Sequence, residues 1–240
     1  MMRWQDTGIV INTRKFNDNS LIMKAITENN GIYSGLVRLK KNQGGQGVNL
    51  TGNKLNISWR ARLSEHLGYF DTELNLSRAH IIMRSKLYLS GVNLICSHLD
   101  LLPEREPCNE IYTLFDALLD NYTEDNNWIE QIVKFEFSYL NSMGYGIDLT
   151  ECVLSGAKDS LKWVSPKSGK AVGLEAGKEW SEKLLKLPAF LLSPEYENSD
   201  KAELTDGLKL TGYFLNKWIY SDLNKNLPSS RKKIIDFLNK

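Results

Sequence analysis

The chain has little cysteine, and its thiols are far apart. Its 240 residues include only Cys96, Cys108 and Cys152. An odd, sparse set argues against a disulfide framework and is typical of a reducing compartment. We therefore expect a hydrophobic core to hold the fold together, and a chain of this length can bury a sizeable one.

Long apolar runs and a signal segment are also missing. No stretch approaches the roughly 20 apolar residues that cross a bilayer. The N-terminus has no charged and then apolar segment followed by a small-residue cleavage site. Apolar residues make up 42% and charged residues 25% of the chain, which is ordinary for a soluble globular protein. The sequence predicts a cytoplasmic protein with no membrane partner.

Groupings typical of catalysis are absent as well. His66, His80 and His98 are isolated, and neither His-Glu-x-x-His nor Gly-x-Ser-x-Gly occurs. The segment 47–54 has the glycines of a phosphate-binding loop, but Asn53 separates the last glycine from the lysine. That loop needs the lysine directly after glycine, at the start of a helix. The sequence predicts that the protein is not an enzyme.

No set of metal ligands accompanies the third cysteine. A structural zinc site takes four nitrogen or sulfur donors, usually in two close pairs. Cys152 has neither a second thiol nor a histidine nearby. We expect a buried thiol that acts as a small hydrophobic side chain, with no metal and no other cofactor.

Positive charge is concentrated at the front of the chain. The formal net charge is +1, but residues 1–75 carry ten Lys and Arg against six Asp and Glu, whereas residues 76–240 carry twenty against twenty-three. A positive N-terminal part favours a polyanionic partner through counterion release.

The N-terminal part has the pattern of β-structure. Short runs rich in β-branched and other apolar residues alternate with turn residues, and a Gly- and Asn-rich loop covers 40–54. The predicted strands are Thr7–Thr13, Ser20–Thr27, Ile32–Leu39, Leu55–Arg62 and His66–Glu73. Five short strands in about 70 residues predict a small closed barrel, residues 1–75.

From residue 76 onward the apolar period becomes helical. The predicted helices are 78–102, 107–122, 129–143, 175–187, 205–222 and 229–239, with Pro107 in the first turn of the second. A hairpin or irregular knuckle is predicted at 160–173. The prediction is therefore an α+β protein, with a barrel and then a helical bundle over 76–240 that carries an insertion at about 148–173.

Basic residues of the barrel are the candidate nucleic-acid contacts. They are Arg14, Lys15, Lys24, Arg38, Lys40, Lys41, Lys54, Arg60 and Arg62. Alternation along Leu55–Arg62 places Trp59 in the core and the two arginines outside. Tyr33, Tyr69 and Phe70 are candidates for base stacking, although each alone is more typical of a core residue. An ordinary solvated surface explains the basic set as well as a binding patch does.

Several motifs resemble the RecO family of bacterial recombinational repair proteins, over nearly the whole chain. They are Gly31–Val37, Trp59–Arg62 with Leu67-Gly68, Leu102–Pro107, Gly144-Tyr145-Gly146 with Asp148-Leu149, Ser165–Gly169 and Leu227–Arg231. In many members a zinc knuckle opens with Cys-x-x-Cys, whereas here Ser155 stands in the place of the second cysteine. The resemblance is to zinc-less, alphaproteobacterial-type members.

This resemblance implies a fold and a role. The fold is an N-terminal OB-fold barrel, followed by a helical domain with a degenerate zinc knuckle. The role is that of a recombination mediator, which binds single- and double-stranded DNA, anneals complementary strands and helps load RecA onto SSB-coated DNA. The implied partners are RecR and the C-terminal tail of SSB, with RecA indirectly, at the nucleoid. A protein-protein scaffold whose barrel does not touch DNA is the alternative.

Overall fold

The first part of the chain forms a closed five-stranded barrel. The computed structural model describes residues 2–39, 47–63, 65–123, 125–193 and 199–239. The strands are β1 (Met2–Asn17), β2 (Ser20–Thr27), β3 (Gly31–Arg38), β4 (Lys54–Ala61) and β5 (Tyr69–Leu76). Around the barrel the order is β1-β2-β3-β5-β4, with β4 pairing back to β1 and only β3 and β5 parallel. The predicted OB-fold barrel is confirmed.

β1 is much longer than the predicted strand Thr7–Thr13, because it pairs with two neighbours. Its first half lies against β4 and its second half against β2, and the register against β2 shifts between Val10 and Asn12. Such a bulge bends the strand, so that β1 can pair with β4 along its first half and with β2 along its second half. β5 begins at Tyr69, three residues later than the predicted start at His66.

The barrel interior is filled by alternate residues of its strands. Leu55, Ile57, Trp59 and Ala61 of β4 are all buried, while Arg60 is exposed. The core also contains Val10, Met23, Ala25, Val37 and Phe70. Burial of each large apolar side chain contributes about 1.5–3 kcal/mol. The prediction that Trp59 packs inside is confirmed.

The prediction of one continuous helix over 78–102 is wrong. The structure has α1 (Ala79–Ile82) and then α2 (Lys86–Leu99). Between them Ser85 is extended, and its side chain accepts a hydrogen bond from the backbone N–H of Tyr88 at 3.3 Å. A serine that caps a helix N-terminus in this way starts a new helix. The apolar period continues across the break, so the sequence pattern does not reveal it.

Helix α3 (Asn109–Asp120) is attached to the barrel by charged side chains. It begins two residues after Pro107, which therefore precedes the helix rather than lying in its first turn, as was predicted. The Asp116 carboxylate accepts hydrogen bonds from Lys54 of β4 and from the buried Arg78, both at 2.7 Å. α3 is thus fixed to the barrel by a shared carboxylate.

The chain divides into two compact units, Met1–Asn121 and Tyr122–Lys240. The first unit therefore contains α1, α2 and α3 in addition to the barrel. The domain boundary after residue 75 stays a prediction. Within the described residues, no helix has the length and apolar character that crossing a membrane requires.

The second unit is helical with one small sheet, so the predicted α+β class is confirmed. Its elements are α4 (Asn126–Ser142), β6 (Leu161–Val164), β7 (Ala171–Gly173), α5 (Leu174–Gly177), β8 (Leu185–Lys186), α6 (Lys201–Leu215) and α7 (Ser229–Leu238). The predicted helix 175–187 is wrong, because only α5 and a 3-10 turn, Lys178–Lys183, form before β8 pairs with β6. The predicted helix 205–222 is α6 followed by a π turn, Asn216–Tyr220.

A buried ion pair joins three helices of this unit. Arg231 of α7 hydrogen-bonds to Glu136 of α4, and both side chains are almost fully buried. Thr211 of α6 donates to the same carboxylate, and Arg231 also donates to the Leu208 carbonyl. Each charge is therefore compensated, as burial demands.

Candidate nucleic-acid interface

The predicted basic residues have very different surroundings in the structure. Lys40 and Lys41 lie outside the described residues. Of the other seven, Lys15, Lys24 and Lys54 form ion pairs. Arg14, Arg38, Arg60 and Arg62 are exposed. The structure therefore divides one sequence-defined set into paired lysines and solvent-facing arginines.

Each lysine of the described set is held by a carboxylate. The ammonium group of Lys24 lies 2.8 Å from Asp100 and 3.6 Å from Glu104. Lys15 pairs with Asp18 at 2.7 Å in the turn after β1. Burial alone would lower the pKa of Lys54, but the hydrogen bond to Asp116, together with the interactions with Tyr112 and the charge of Asp116, outweighs burial and raises that pKa. Lys24 and Lys54 are therefore held by carboxylates on the barrel surface, whereas the pair of Lys15 with Asp18 is exposed and weak.

Two exposed arginines flank a tyrosine at one end of the barrel. The guanidinium carbon of Arg38 lies 5.9 Å from the centre of the Tyr69 ring, and that of Arg60 lies 6.0 Å from it. Tyr69 is 44% exposed. No acidic residue among those described forms an ion pair with either guanidinium group. This combination of aromatic ring and unpaired cations is typical of surfaces that bind single-stranded nucleic acid.

A third arginine, which the sequence reasoning missed, extends this surface. Arg3 of β1 lies directly opposite Arg60 in the β1–β4 pairing, and Arg60 is in turn opposite Tyr69 in the β4–β5 pairing. Like charges directly opposite each other destabilise a sheet. Arg3 lay outside the predicted strand Thr7–Thr13, and only a longer first strand brings it into this row.

A cavity of about 420 Å³ adjoins the row and contains Arg62. It is lined by Arg60, Ala61, Arg62, His66, Gly68 and Tyr69. We refer to Arg3, Arg38, Arg60, Arg62 and Tyr69 together as the arginine face.

The turn before β5 fixes the tyrosine in place. Gly68 has a φ of +70°, and a Cβ there would lie 2.4 Å from Nε1 of Trp59. Trp59 donates that N–H to the Leu67 carbonyl at 3.2 Å, and Leu36 donates its backbone N–H to the Gly68 carbonyl at 3.0 Å. Only glycine adopts this conformation so close to the indole. The backbone leading into Tyr69 is therefore tightly held.

The other two rings named for base stacking pack in or against the barrel core, which is the more typical role expected for each of them. Phe70 is buried in the core. Tyr33 is half-buried, and its ring packs edge-on against Trp4 at 4.8 Å and against Trp59 at 5.1 Å. Of the three rings, Tyr69 alone presents a large exposed surface.

Arg14 and Lys24 lie in a separate cavity, away from the arginine face. The cavity has a volume of about 280 Å³ and is lined by Asn12, Arg14, Ile22, Lys24, Ser34, Asp100 and Glu104. Ser34 donates a hydrogen bond to Glu104 at 2.7 Å. We refer to this region as the paired face, since both of its carboxylates pair with Lys24.

The residues of the knuckle do not fit a zinc ion. Cys152 is buried, as predicted, and its sulfur accepts a hydrogen bond from the backbone N–H of Gly173 at 3.2 Å. Burial raises the pKa of this thiol, but hydrogen bonds from Ser155, Gly173 and Leu154 outweigh burial and lower that pKa to about 7. The sulfur thus has hydrogen-bond donors around it where a zinc site needs further ligands.

Among the residues that the structure describes, no group of three or more His, Cys, Asp or Glu side chains could hold a metal. The absence of a bound metal stays a prediction.

The first unit contains an OB-fold barrel whose arginine face is a candidate nucleic-acid surface, and a mainly helical unit follows it in the chain. The family model described as "Recombination protein O N terminal" matches residues 1–77, and "Recombination protein O C terminal" matches residues 87–230.

Curated relatives resemble the chain over nearly its whole length. The DNA repair protein RecO of Chelativorans sp. is 37% identical over 231 residues, which is 96% of this chain and 93% of that protein. The RecO proteins of Rhizobium rhizogenes and Brucella abortus are 37% and 36% identical over 98% of this chain, and 90% and 95% of their own lengths are covered. The chain belongs to the RecO family of DNA repair proteins.

Proposed function

We propose that this protein is a recombination mediator whose barrel binds single- and double-stranded DNA through the arginine face. It anneals complementary strands, and with RecR it helps RecA to load on DNA covered by SSB, whose C-terminal tail it also binds. It works in the cytoplasm at the nucleoid. Membership in the RecO family supports this role, and the mechanism contains no covalent step.

One observation carries the DNA-binding part of the proposal. Arg3 and Arg60 lie opposite each other on neighbouring strands, and no described carboxylate forms an ion pair with them. Such a pairing costs the free barrel stability. Phosphate groups remove that repulsion, because each can accept hydrogen bonds from a guanidinium group in a planar, bidentate geometry.

Annealing follows from the same electrostatics. Two complementary strands repel each other through their phosphates, and cations held on a rigid surface reduce that repulsion. The released counterions provide a large part of the binding free energy. Since phosphate contacts carry no sequence information, we expect binding that is indifferent to sequence.

A salt series tests the proposal. Replacement of both arginines, Arg60→Ala with Arg62→Ala, should weaken binding to single strands and make the plot of log affinity against log salt shallower by about 1.4, or 0.7 for each lost phosphate contact. The matched control is Lys232→Ala with Lys233→Ala, which removes the same charge from the exposed side of α7. The control should keep the slope of the unmodified protein.

The same measurements separate the proposal from a scaffold role. If the unmodified protein has no affinity for oligonucleotides at low salt but still captures RecR or SSB, the barrel is a protein-binding module. If it binds but the double arginine variant keeps the full slope, the DNA site lies elsewhere. Strand annealing measured with and without SSB then tests the mediator role itself.

A further inference from the structure

We propose that Tyr69 is a stacking site for one unpaired nucleobase of single-stranded DNA, with the neighbouring arginines on the flanking phosphates. This inference rests on the proposed function and adds to it a preference for unpaired strands. The ligand of this site is an unstacked base, in addition to the phosphate backbone that the arginines contact.

The side-chain ring of Tyr69 is exposed, whereas the backbone of this residue is held by strand pairing. Tyr69 pairs with Arg60 of β4 on one side and with Leu36 of β3 on the other. A rigid aromatic side chain on a strand stacks a base at low cost in conformational entropy, because little motion remains to be lost.

Neither guanidinium group stacks closely on the ring. Atoms in van der Waals contact lie about 3.5–4.0 Å apart, whereas the two guanidinium carbons are 5.9 and 6.0 Å from the centre of the ring. Both groups therefore lie at the outer edge of the cation-π range, so a planar base that stacks on the ring has only loosely held side chains to displace. Guanidinium groups in this position also reach the phosphate of a stacked nucleotide.

Two cavities adjoin Tyr69, and charge selects between them. The one of about 340 Å³ is also lined by Arg38, Arg60 and Asp71. The cavity of about 420 Å³ next to Tyr69 also contains Arg62 and His66. In the other direction along β5, the same face of the strand carries Asp71 and then Glu73, which repel phosphates. We therefore expect the backbone to run past Arg3, Arg60 and Arg62, with a base turned toward Tyr69.

A duplex cannot use this site in the same way, because its bases already stack on each other. Duplex DNA would meet the arginines but not the tyrosine ring. This difference separates stacking from simple charge neutralisation, and it gives the proposal a measurable signature.

The experiment compares Tyr69→Ala and Tyr69→Phe in the full-length protein. The probes are a single-stranded oligonucleotide of mixed sequence, the same strand with abasic residues, and the corresponding duplex, each over a salt series. Tyr69→Ala should bind the single strand about tenfold more weakly, which equals about 1.4 kcal/mol and lies within the range for one stacked base. Tyr69→Phe keeps the ring and should bind like the unmodified protein.

Three further readouts belong to the same measurement. Tyr69→Ala should leave duplex affinity unchanged. It should also leave the salt slope unchanged, because no charge is removed. On the abasic strand the unmodified protein and Tyr69→Ala should bind equally, since no base is present to stack. A thermal melt of each variant confirms that the barrel is folded.

The possible results point to different failures. No DNA binding by the unmodified protein would overturn the proposed function. Normal binding by the unmodified protein with an unaffected Tyr69→Ala would overturn only the stacking site. Equal losses on single strands and duplex, or a Tyr69→Phe variant as weak as Tyr69→Ala, would also count against stacking.

Discussion

The arginine face and the paired face lie on the same barrel and both contain candidate cations, yet their electrostatics differ. On the paired face, Lys24 contacts two carboxylates that follow the barrel in sequence, Asp100 and Glu104. On the arginine face, Arg3 and Arg60 oppose each other without such partners. The count of basic residues is therefore a poor guide to a binding surface, and the position of acidic residues from elsewhere in the chain decides which cations are available.

The largest expected effect comes from removing the opposed pair. Arg3→Ala with Arg60→Ala should weaken single-strand binding on the order of a hundredfold at low salt, at about 1.5 kcal/mol for each charged hydrogen bond. The salt slope should become shallower by about 1.4. Fluorescence anisotropy over a salt series measures both quantities. If the variant bound as tightly as the unmodified protein, the contrast between the faces would have no functional meaning.

A third group of charges consists of Asp116, Lys54 and Arg78, and replacing Asp116 tests whether its pairing with Lys54 matters for stability or for DNA binding. Burial raises the pKa of Asp116, but hydrogen bonds from Lys54 and Arg78 outweigh burial and lower that pKa below its usual value. Asp116→Asn should cost about 2 kcal/mol of stability, since the buried Arg78 loses a charged partner. Denaturant unfolding measures this loss, and DNA affinity should not fall.

The same carboxylate predicts a pH dependence. A lowered pKa in the folded state stabilises the protein above the unfolded value of about 3.9, and that stability is lost as the pH falls through the folded value. The stability difference between the unmodified protein and Asp116→Asn should therefore be constant near neutrality and shrink below about pH 4. A difference that grew at acid pH would contradict the assigned pairing.

The paired face can be converted toward the arginine face. Asp100→Asn with Glu104→Gln removes both carboxylates while keeping their size, which leaves Lys24 unpaired beside the exposed Arg14. We expect a gain of a few-fold in DNA affinity and a salt slope steeper by up to about 0.7 for each new contact. An unchanged slope would show that this face does not reach DNA even when its charge is free.

The smallest effect is expected for the lysine itself. Lys24→Ala should leave DNA affinity and slope unchanged, and it should cost about 0–1 kcal/mol of stability, as partly exposed ion pairs usually do. Binding and unfolding measurements on one preparation check both. A loss as large as that of an arginine variant would place Lys24 in the site after all.

Local pattern predicted most of the barrel but not its binding surface. Alternation along β4 placed Trp59 inside and Arg60 outside, because period-two burial is a local property of a strand. The role of Arg3 depends on the register between β1 and β4, which no short segment contains. The neutralisation of Lys24 depends on Asp100, 76 positions away in the chain. Whether a basic side chain is free to bind a ligand therefore depends on the tertiary structure.

The helical part shows a similar division. Apolar periodicity located α4, α6 and α7 to within a few residues. It failed at Ser85, where a side-chain hydrogen bond restarts the helix, and at β8, where pairing with β6 overrides the local pattern. Both failures come from single interactions that propensity does not record.

The opposition of Arg3 and Arg60 has a consequence for the free protein. Dissolved ions screen the repulsion between two exposed charges. Added salt should therefore raise the thermal stability of the free protein while it lowers the affinity for DNA. Ionic strength therefore acts on both sides of the binding equilibrium. Part of any measured salt dependence then belongs to the relaxation of the protein rather than to the nucleic acid.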